Sequence, residues 1–365
     1  MSKKYDFVIV GAGMFGSVCA RNLTDRGFKC LVIDKRVHIG GNCYTEKIEG
    51  INVHKYGPHI FHTSNKEVWD YVNKYIEFNH FVYRPKVMYD GKIYSFPLNL
   101  FTFYQIYGTK TPQEVYDKLQ SLRIKNNNPQ NLEEWILDRV GNEIYEIFIK
   151  GYTIKQWGRH PKNLPPSIIK RIPIRLTFND NYYDDRHQGI PIGGYTLLFE
   201  RLLEGIEVRL GVDYFDDIDG FDKVGDKIIY TGSLDRFYDF RFGELQYRSL
   251  EFETETIDIP DFQGNAAINY TNEEIPFTRI IEHKHFEFVE RGTTVITREI
   301  PVEFNSSKDK LYPINDQGNT DIFIKYKKMA NKEERVIFGG RLADYMYYDM
   351  DQVIGSALEK TRGLI

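Results

Sequence analysis

Three glycines and an acid near the start of the chain have the spacing to hold a pyrophosphate. GAGMFG supplies Gly11, Gly13 and Gly16 as G-x-G-x-x-G, and Asp34 follows about twenty residues on. Gly11 suits a tight turn, Gly13 lets backbone approach a phosphate, and Gly16 lets a helix sit close on a strand. A helix that starts here turns unpaired N–H groups and its positive dipole end towards the anion. Asp34 is placed to accept from ribose hydroxyls. This chemistry requires a strand before the turn, a helix after it and a second strand that ends at the acid. The apolar run YDFVIV, the segment SVCARNLTDRG and the run KCLVID provide them in that order.

Other groups with chemical potential carry less. His59 and His62 lie close together in PHIFHT, but the residues between them read as strand and no cysteine or carboxylate stands at ligand spacing, so no metal is expected. Asp217-Ile218-Asp219 has the string of a glycosyltransferase metal site, yet it follows a strand and precedes Gly220, and a solvated loop is expected there. A short-chain nicotinamide enzyme acting on sugar nucleotides would want Tyr-x-x-x-Lys. Tyr71 with Lys74 and Tyr75 with Asn79 both fail that test. An amine-oxidase-like oxidoreductase would share the first unit, but would consume an electron acceptor. The three cysteines, Cys19, Cys30 and Cys43, match no metal or redox spacing and suit small buried positions in a reducing cytosol. With 48 basic and 52 acidic residues there is no charge excess to attract nucleic acid. No apolar run approaches bilayer length and no signal peptide precedes the first strand, so a cytoplasmic chain is expected.

Just past Asp34 comes Gly40-Gly41-Asn42, a second glycine pair that resembles the extended fingerprint of FAD-binding folds, so FAD is the expected dinucleotide. The fold class that follows is α/β. A discontinuous Rossmann-like FAD-binding domain is expected over 1–80, 188–225 and 316–365, with an inserted helical domain over 98–164. An antiparallel sheet domain is expected over 81–97, 165–187 and 226–315, where short strands alternate with polar turns. Lys66 to Phe78 reads as an amphipathic helix with Val68, Tyr71, Val72, Tyr75 and Ile76 on one face. Thr111-Pro112-Gln113-Glu114 is a capping box, and Asn131 starts a longer helix that runs towards GYTIKQWG. The last strand–glycine–helix unit, from VIFGG onwards, returns to the first sheet. Tyr and Phe, 26 and 25 of them, serve core packing and also suit a site that stacks bases and hydrogen-bonds sugars.

GAGMFG, GGNCY, YGPHIFHT, GYTIKQWG, IPIGGYT and GRLADYMYYDMD occur in this order across nearly the whole chain. Together they resemble the bacterial UDP-galactopyranose mutases, and GYTIKQWG and GRLADYMYYDMD are the specific motifs. The resemblance implies a flavoenzyme that interconverts the pyranose and furanose forms of UDP-galactose without net redox change, using reduced FAD. In that family reduced flavin attacks the anomeric carbon, UDP leaves, and the sugar opens through a flavin–sugar iminium and recloses. Arg171 and Arg248 match the family's two diphosphate-clamping arginines. Forked, permanently charged guanidinium groups suit a leaving diphosphate with no metal beside it. Tyr182, Tyr312 and Tyr347 fall where the family places hydroxyl donors. Phe148, Tyr152, Thr153, Gln156 and Trp157 fall in its uridine segment, Trp157 also on a mobile loop. His59, with Ile60 and His62 beside it, matches the segment against the flavin, and Arg279, Arg341, Asp349 and Met350 match flavin-side positions. Gly11, Gly13, Met14, Phe15, Gly16, Asp34, Lys35, Gly41 and Asn42 make up the cofactor set from the first unit. The resemblance further implies a homodimer that supplies galactofuranose to a cell-wall or surface polysaccharide.

Overall fold

The computed structural model describes residues 4–170, 172–305 and 308–364. A five-stranded parallel sheet runs in the order Val336–Phe338, Gly225–Tyr230, Tyr5–Val10, Cys30–Asp34, Glu207–Leu210. Strands covered on both faces need near-continuous apolar residues, and FVIV and LVI supply them. On one face the Met14–Thr24 helix packs through Val18 and Leu23 against Ile354 and Ala357 of the Met350–Arg362 helix. On the other face Val8, Ile33 and Tyr230 meet Leu234, Tyr326 and Phe338. The late strand and helix therefore return to the first sheet, as their order in the sequence suggested.

The expected domain boundary at 225 is displaced. Gly225–Tyr230 lies between the first strand and the last, with Phe7 opposite Lys227, and the turn that follows packs Leu234 and Leu245 on the same core. The short run IIY declares a strand but not the sheet it joins, because period and propensity carry no partner information.

A second sheet has seven strands in the order Tyr312–Pro313, Tyr247–Ile257, Thr294–Glu303, Arg279–Glu282, Ala267–Tyr270, Lys86–Tyr89, Lys92–Ser95. It is antiparallel except for the Ala267–Tyr270 and Lys86–Tyr89 pair, which is parallel. Residues 172–186, expected to hold strands, contribute only a bridge from Ile174 to Leu98. The chain then forms His187–Gly189, which pairs with Phe61–Thr63.

Helices Leu100–Tyr107, Pro112–Leu122 and Leu132–Ile144 make the inserted layer. Thr111 caps the second by accepting from Glu114 N at 3.2 Å, while the Glu114 carboxylate reaches Lys110 N at 2.7 Å instead of closing a box on Thr111. Within the third, Gly141 takes φ 78°, where a Cβ would lie 2.7 Å from Leu122 O. Only glycine permits that bend against the neighbouring helix. A π turn over Tyr145–Lys150 follows, then the Gly151–Trp157 helix. The Lys66 helix ends at Val72 rather than Phe78. Backbone groups of 77–79 bond to 190–192 instead (Asn79 N to Ile190 O and Ile192 N to Glu77 O, both 2.9 Å), yet Val68, Tyr71, Val72 and Ile76 are still buried. Asp217 is no loop acid: it caps the Ile218–Val224 helix by accepting from Gly220 N at 3.0 Å.

Candidate active site

A cleft of about 1040 Å³ opens where the parallel sheet, the helical layer and the second sheet meet. Its dinucleotide end is backbone. Gly11 has φ 114°, and a Cβ there would lie 2.0 Å from Thr231 Oγ1. A Cβ on Gly16 would lie 1.9 Å from Gly11 O, so this glycine sets the close approach of helix to strand. At Gly13 the nearest atom to an added Cβ is the Gly41 Cα at 3.7 Å. The two glycine motifs thus lie back to back and leave their backbones facing the cleft. Gly13 is also the helix N-cap and supplies no side-chain cap, so the first amides are free to meet a pyrophosphate. Asp34 is locked at the strand end, with Oδ2 accepting from Ala12 N and Oδ1 from Arg36 N, both at 2.8 Å. Each oxygen keeps a further lone pair for a ribose hydroxyl. Arg36 crosses over the Tyr56 ring at 4.5 Å and donates to Asn42 Oδ1 at 2.9 Å. Met14, Phe15, Lys35, Gly41 and Asn42 also line this end. This cradle, with its bare helix terminus and acid, fits a dinucleotide.

Further along, His59 Nδ1 bonds Gly57 O at 2.8 Å, and burial lowers its pKa to about 4, so the imidazole is neutral. Arg341 donates to Leu311 O at 3.0 Å and lies over the Tyr347 ring at 4.9 Å. Asp349 caps the last helix in a reciprocal box with Gln352, and both Asp349 and Met350 line the cleft beside Ile60. His62 Nδ1 meets Asp185 Oδ2 at 2.6 Å, while its Nε2 lies 4.0 Å from Asp349.

The far wall is made of side chains. Arg279 pairs with Glu299 at 2.9 Å and donates to the Tyr83 hydroxyl at 3.2 Å. Glu299 is 1% exposed, and its charge holds the partly buried guanidinium firmly cationic. Phe148 stacks on Phe96 with centroids 6.0 Å apart, Tyr312 lies parallel to Tyr347 at 5.5 Å, and Tyr152 and Tyr182 complete the wall.

Four expected residues stand outside the lining. Thr153 and Gln156 are buried in the Gly151–Trp157 helix, and Trp157 packs against the helical core. Arg248 is buried just behind the lining: Nε donates to Gln156 O at 3.1 Å and Nη2 to Lys155 O at 3.3 Å, at the negative end of that helix. Its strand partner is Tyr312, which does line the cleft. Lys155 fastens the same helix to the second sheet through the carbonyls of Tyr270, Ile275 and Phe277 at 2.8, 3.1 and 3.0 Å. Arg171 lies outside the described residues. Glu299, Asp185, Tyr183 and Tyr83 line the cleft without having been singled out from the sequence. For Glu299 a signal existed, since an acid at an inward position of a strand needs a buried cation.

A family model for UDP-galactopyranose mutase matches residues 147–347, and one for NAD(P)-binding Rossmann-like domains matches residues 9–75. The chain belongs to the UDP-galactopyranose mutase family. Members of this isomerase family share the flavin-type fold found here. Relatives include a dTDP-fucopyranose mutase of Escherichia coli, 41% identical over 96% of each chain. A probable UDP-galactopyranose mutase of Klebsiella pneumoniae is 40% identical over 97% of this chain and 93% of that protein. The crystal structure of a reduced UDP-galactopyranose mutase superposes with a TM-score of 0.75 at 17% identity, covering 100% of this chain and 95% of that one. Among the described residues no helix is long and apolar enough to cross a membrane.

Proposed function

We propose that this UDP-galactopyranose mutase family member interconverts UDP-galactopyranose and UDP-galactofuranose with bound FAD in its reduced state. The observation that carries this is one cleft with a glycine cradle at one end and, at the other, an aromatic wall with an arginine paired to a buried glutamate. Reduced FAD supplies a nucleophilic ring nitrogen to the anomeric carbon and no net electrons. The Gly13 backbone and the free helix amides would hold its pyrophosphate, and Asp34 its ribose. Neutral His59 and the Arg341 guanidinium, which line the cleft, would lie beside its ring, where positive charge would favour an anionic reduced ring. Phe148 and Tyr152 give the base an aromatic face. Tyr182, Tyr312 and Tyr347 donate to phosphate and sugar, with Arg171 and Arg248 meeting the charge that develops on the departing diphosphate. The protein acts in the cytoplasm as a homodimer, and its product feeds a cell-surface polysaccharide.

A second reading has the E. coli relative behind it: dTDP-fucose in place of UDP-galactose. Val87, Phe96 and Phe148 line the base end with carbon, where a thymine methyl would be in apolar contact. The test is protein reduced with dithionite under nitrogen, offered UDP-galactofuranose or dTDP-fucofuranose, with products followed by chromatography and an oxidised sample alongside. Turnover only in the reduced sample, with no reductant consumed per cycle, is expected. No conversion of either substrate by a yellow, FAD-loaded protein overturns the mutase reading and favours an oxidoreductase. The ratio of kcat/KM for the two substrates decides between the readings.

A further inference from the structure

We infer that His62, held by Asp185, is the proton carrier for the ring exchange, an inference that rests on the mutase reading above. Going from pyranose to furanose, the C1–O5 bond breaks, a C1–O4 bond forms, and one proton passes from O4 to O5. No atom changes oxidation state. A single base that gives a proton to O5 and takes one from O4 returns to its starting form each cycle, whichever of the two sugars is bound. The fold sets up one group in this way. The small sheet of Phe61–Thr63 and His187–Gly189 places His62 opposite Gln188 and so brings Asp185 to it from far along the chain. The Asp185 carboxylate accepts from Nδ1 at 2.6 Å, which fixes the tautomer and leaves Nε2 to face the cleft. Asp185 is itself held, because Ser64 Oγ donates to its Oδ1 at 2.7 Å and Gln188 Nε2 to its carbonyl at 3.1 Å. Tyr183 stacks on the imidazole with centroids 3.6 Å apart and planes 14° apart, which removes the remaining freedom of the ring. The charged and titratable groups around it are Asp185, Asp349 at 4.0 Å from Nε2, Tyr183, and Asp351, which accepts from Thr63 Oγ1 at 2.9 Å. Neutral His59 is tied to the Gly57 carbonyl and does not share this carboxylate support. Asp185 is a positioning residue, and His62 is the group that would meet the sugar.

Reduced holoprotein of the wild type, His62→Gln and Asp185→Asn decides the matter. Three quantities are compared: flavin loading, turnover as a function of pH, and scrambling of labelled oxygen within the substrate's diphosphate. Scrambling needs only cleavage and re-formation of the anomeric C–O bond and no exchange of ring protons. In His62→Gln, turnover is expected to fall about 10²–10⁴-fold with flavin loading retained, while scrambling stays within about threefold of wild type. Asp185→Asn should lower kcat about tenfold or more at nearly constant KM and displace the pH profile, because the amide no longer fixes the tautomer. Undiminished turnover in His62→Gln overturns the inference, and so does an equal fall of turnover and scrambling. Should His62→Gln fail to load flavin, an unchanged pH profile in Asp185→Asn is the overturning result. Wild-type protein that converts neither sugar nucleotide overturns the mutase reading and this inference together. Wild-type turnover beside undiminished His62→Gln turnover overturns this one alone.

Discussion

At the dinucleotide end of the cleft the working groups are mostly backbone amides and one acid from a single stretch, residues 10–42, whereas the opposite end is assembled from side chains on at least five separated segments. Arg279, Glu299 and Tyr312 come from three strands of the second sheet, Phe96 from just beyond a fourth, Phe148 from the helical layer and Tyr182 from the irregular run after it. Backbone geometry is written locally, through where glycine is needed. Side-chain networks depend on partners that meet only after folding. The two ends should therefore fail differently when single residues are changed.

The largest effect is expected at the side-chain end. Arg279→Ala strands Glu299, 1% exposed, without its cation. Breaking one half of a buried pair costs about 3–5 kcal/mol. The double variant Arg279→Ala with Glu299→Gln should recover part of that stability in urea melts, because no charge is left buried and unpaired. Additive losses would show that the two ends do not differ in coupling.

At the backbone end, two glycines a turn apart separate stability from binding. Gly16→Ala drives a Cβ to within 1.9 Å of Gly11 O, so the helix must lift from the strand, at a cost of about 3 kcal/mol. Gly13 has φ −80°, which any residue adopts, and its Cβ meets nothing closer than 3.7 Å. Gly13→Val should therefore melt near the wild type yet purify without flavin, its side chain occupying the pyrophosphate's place. Flavin retained in Gly13→Val would mean that the cradle is not the binding end.

A smaller effect is expected at Arg248. Its guanidinium satisfies two carbonyls at the end of the Gly151–Trp157 helix, so Arg248→Ala should cost about 1–3 kcal/mol. If it also meets the departing diphosphate, turnover falls well beyond what the melting change explains. Near-normal turnover in a stable Arg248→Ala protein would leave it a purely structural tie.

How far the sequence could be read follows the same division. Gly11, Gly13, Gly16, Asp34 and Gly41 were legible because each answers to a local constraint: Gly11 makes the positive-φ turn, Gly16 the close approach of helix to strand, and Asp34 ends the second strand against Ala12 N. The strand–helix return from Val336 was legible for the same reason. The partner of Gly225–Tyr230 was not, nor was the early end of the Lys66 helix, since both are decided by distant backbone pairing. Arg248 could be placed by resemblance, but no pattern in QYRSL says that its donors would face helix carbonyls. Asp185, in a run with few apolar residues, carried no signal until His62 was brought beside it.

The end of the Arg279–Glu282 strand in the middle of the second sheet, outside the cleft lining, offers the mildest contrast, through pH. Glu282 is fully buried and accepts from Phe262 N, Gln263 N and the Thr294 hydroxyl at 2.8, 2.9 and 2.7 Å. Its pKa is lowered to about 2 by His285 and these donors, which outweigh the opposing cost of burial. His285 lies 3.3 Å from both Glu282 and Asp261, and these acids raise its pKa above the ordinary 6.5. Glu282 therefore contributes stability that is fully present above about pH 4.5 and is lost as the pH falls towards 2. His285 contributes stability that is fully present below about pH 6.5 and is lost as the pH rises through its folded value. Between those limits the triad holds the turn at 258–263 most firmly. The difference in urea midpoint between wild type and His285→Gln should be largest near pH 5.5 and shrink as the pH rises through the folded value of His285. Glu282→Gln should remove the acid-side loss instead. A difference that stays constant across that range would mean that His285 acts by packing, and that its charge does not hold the turn.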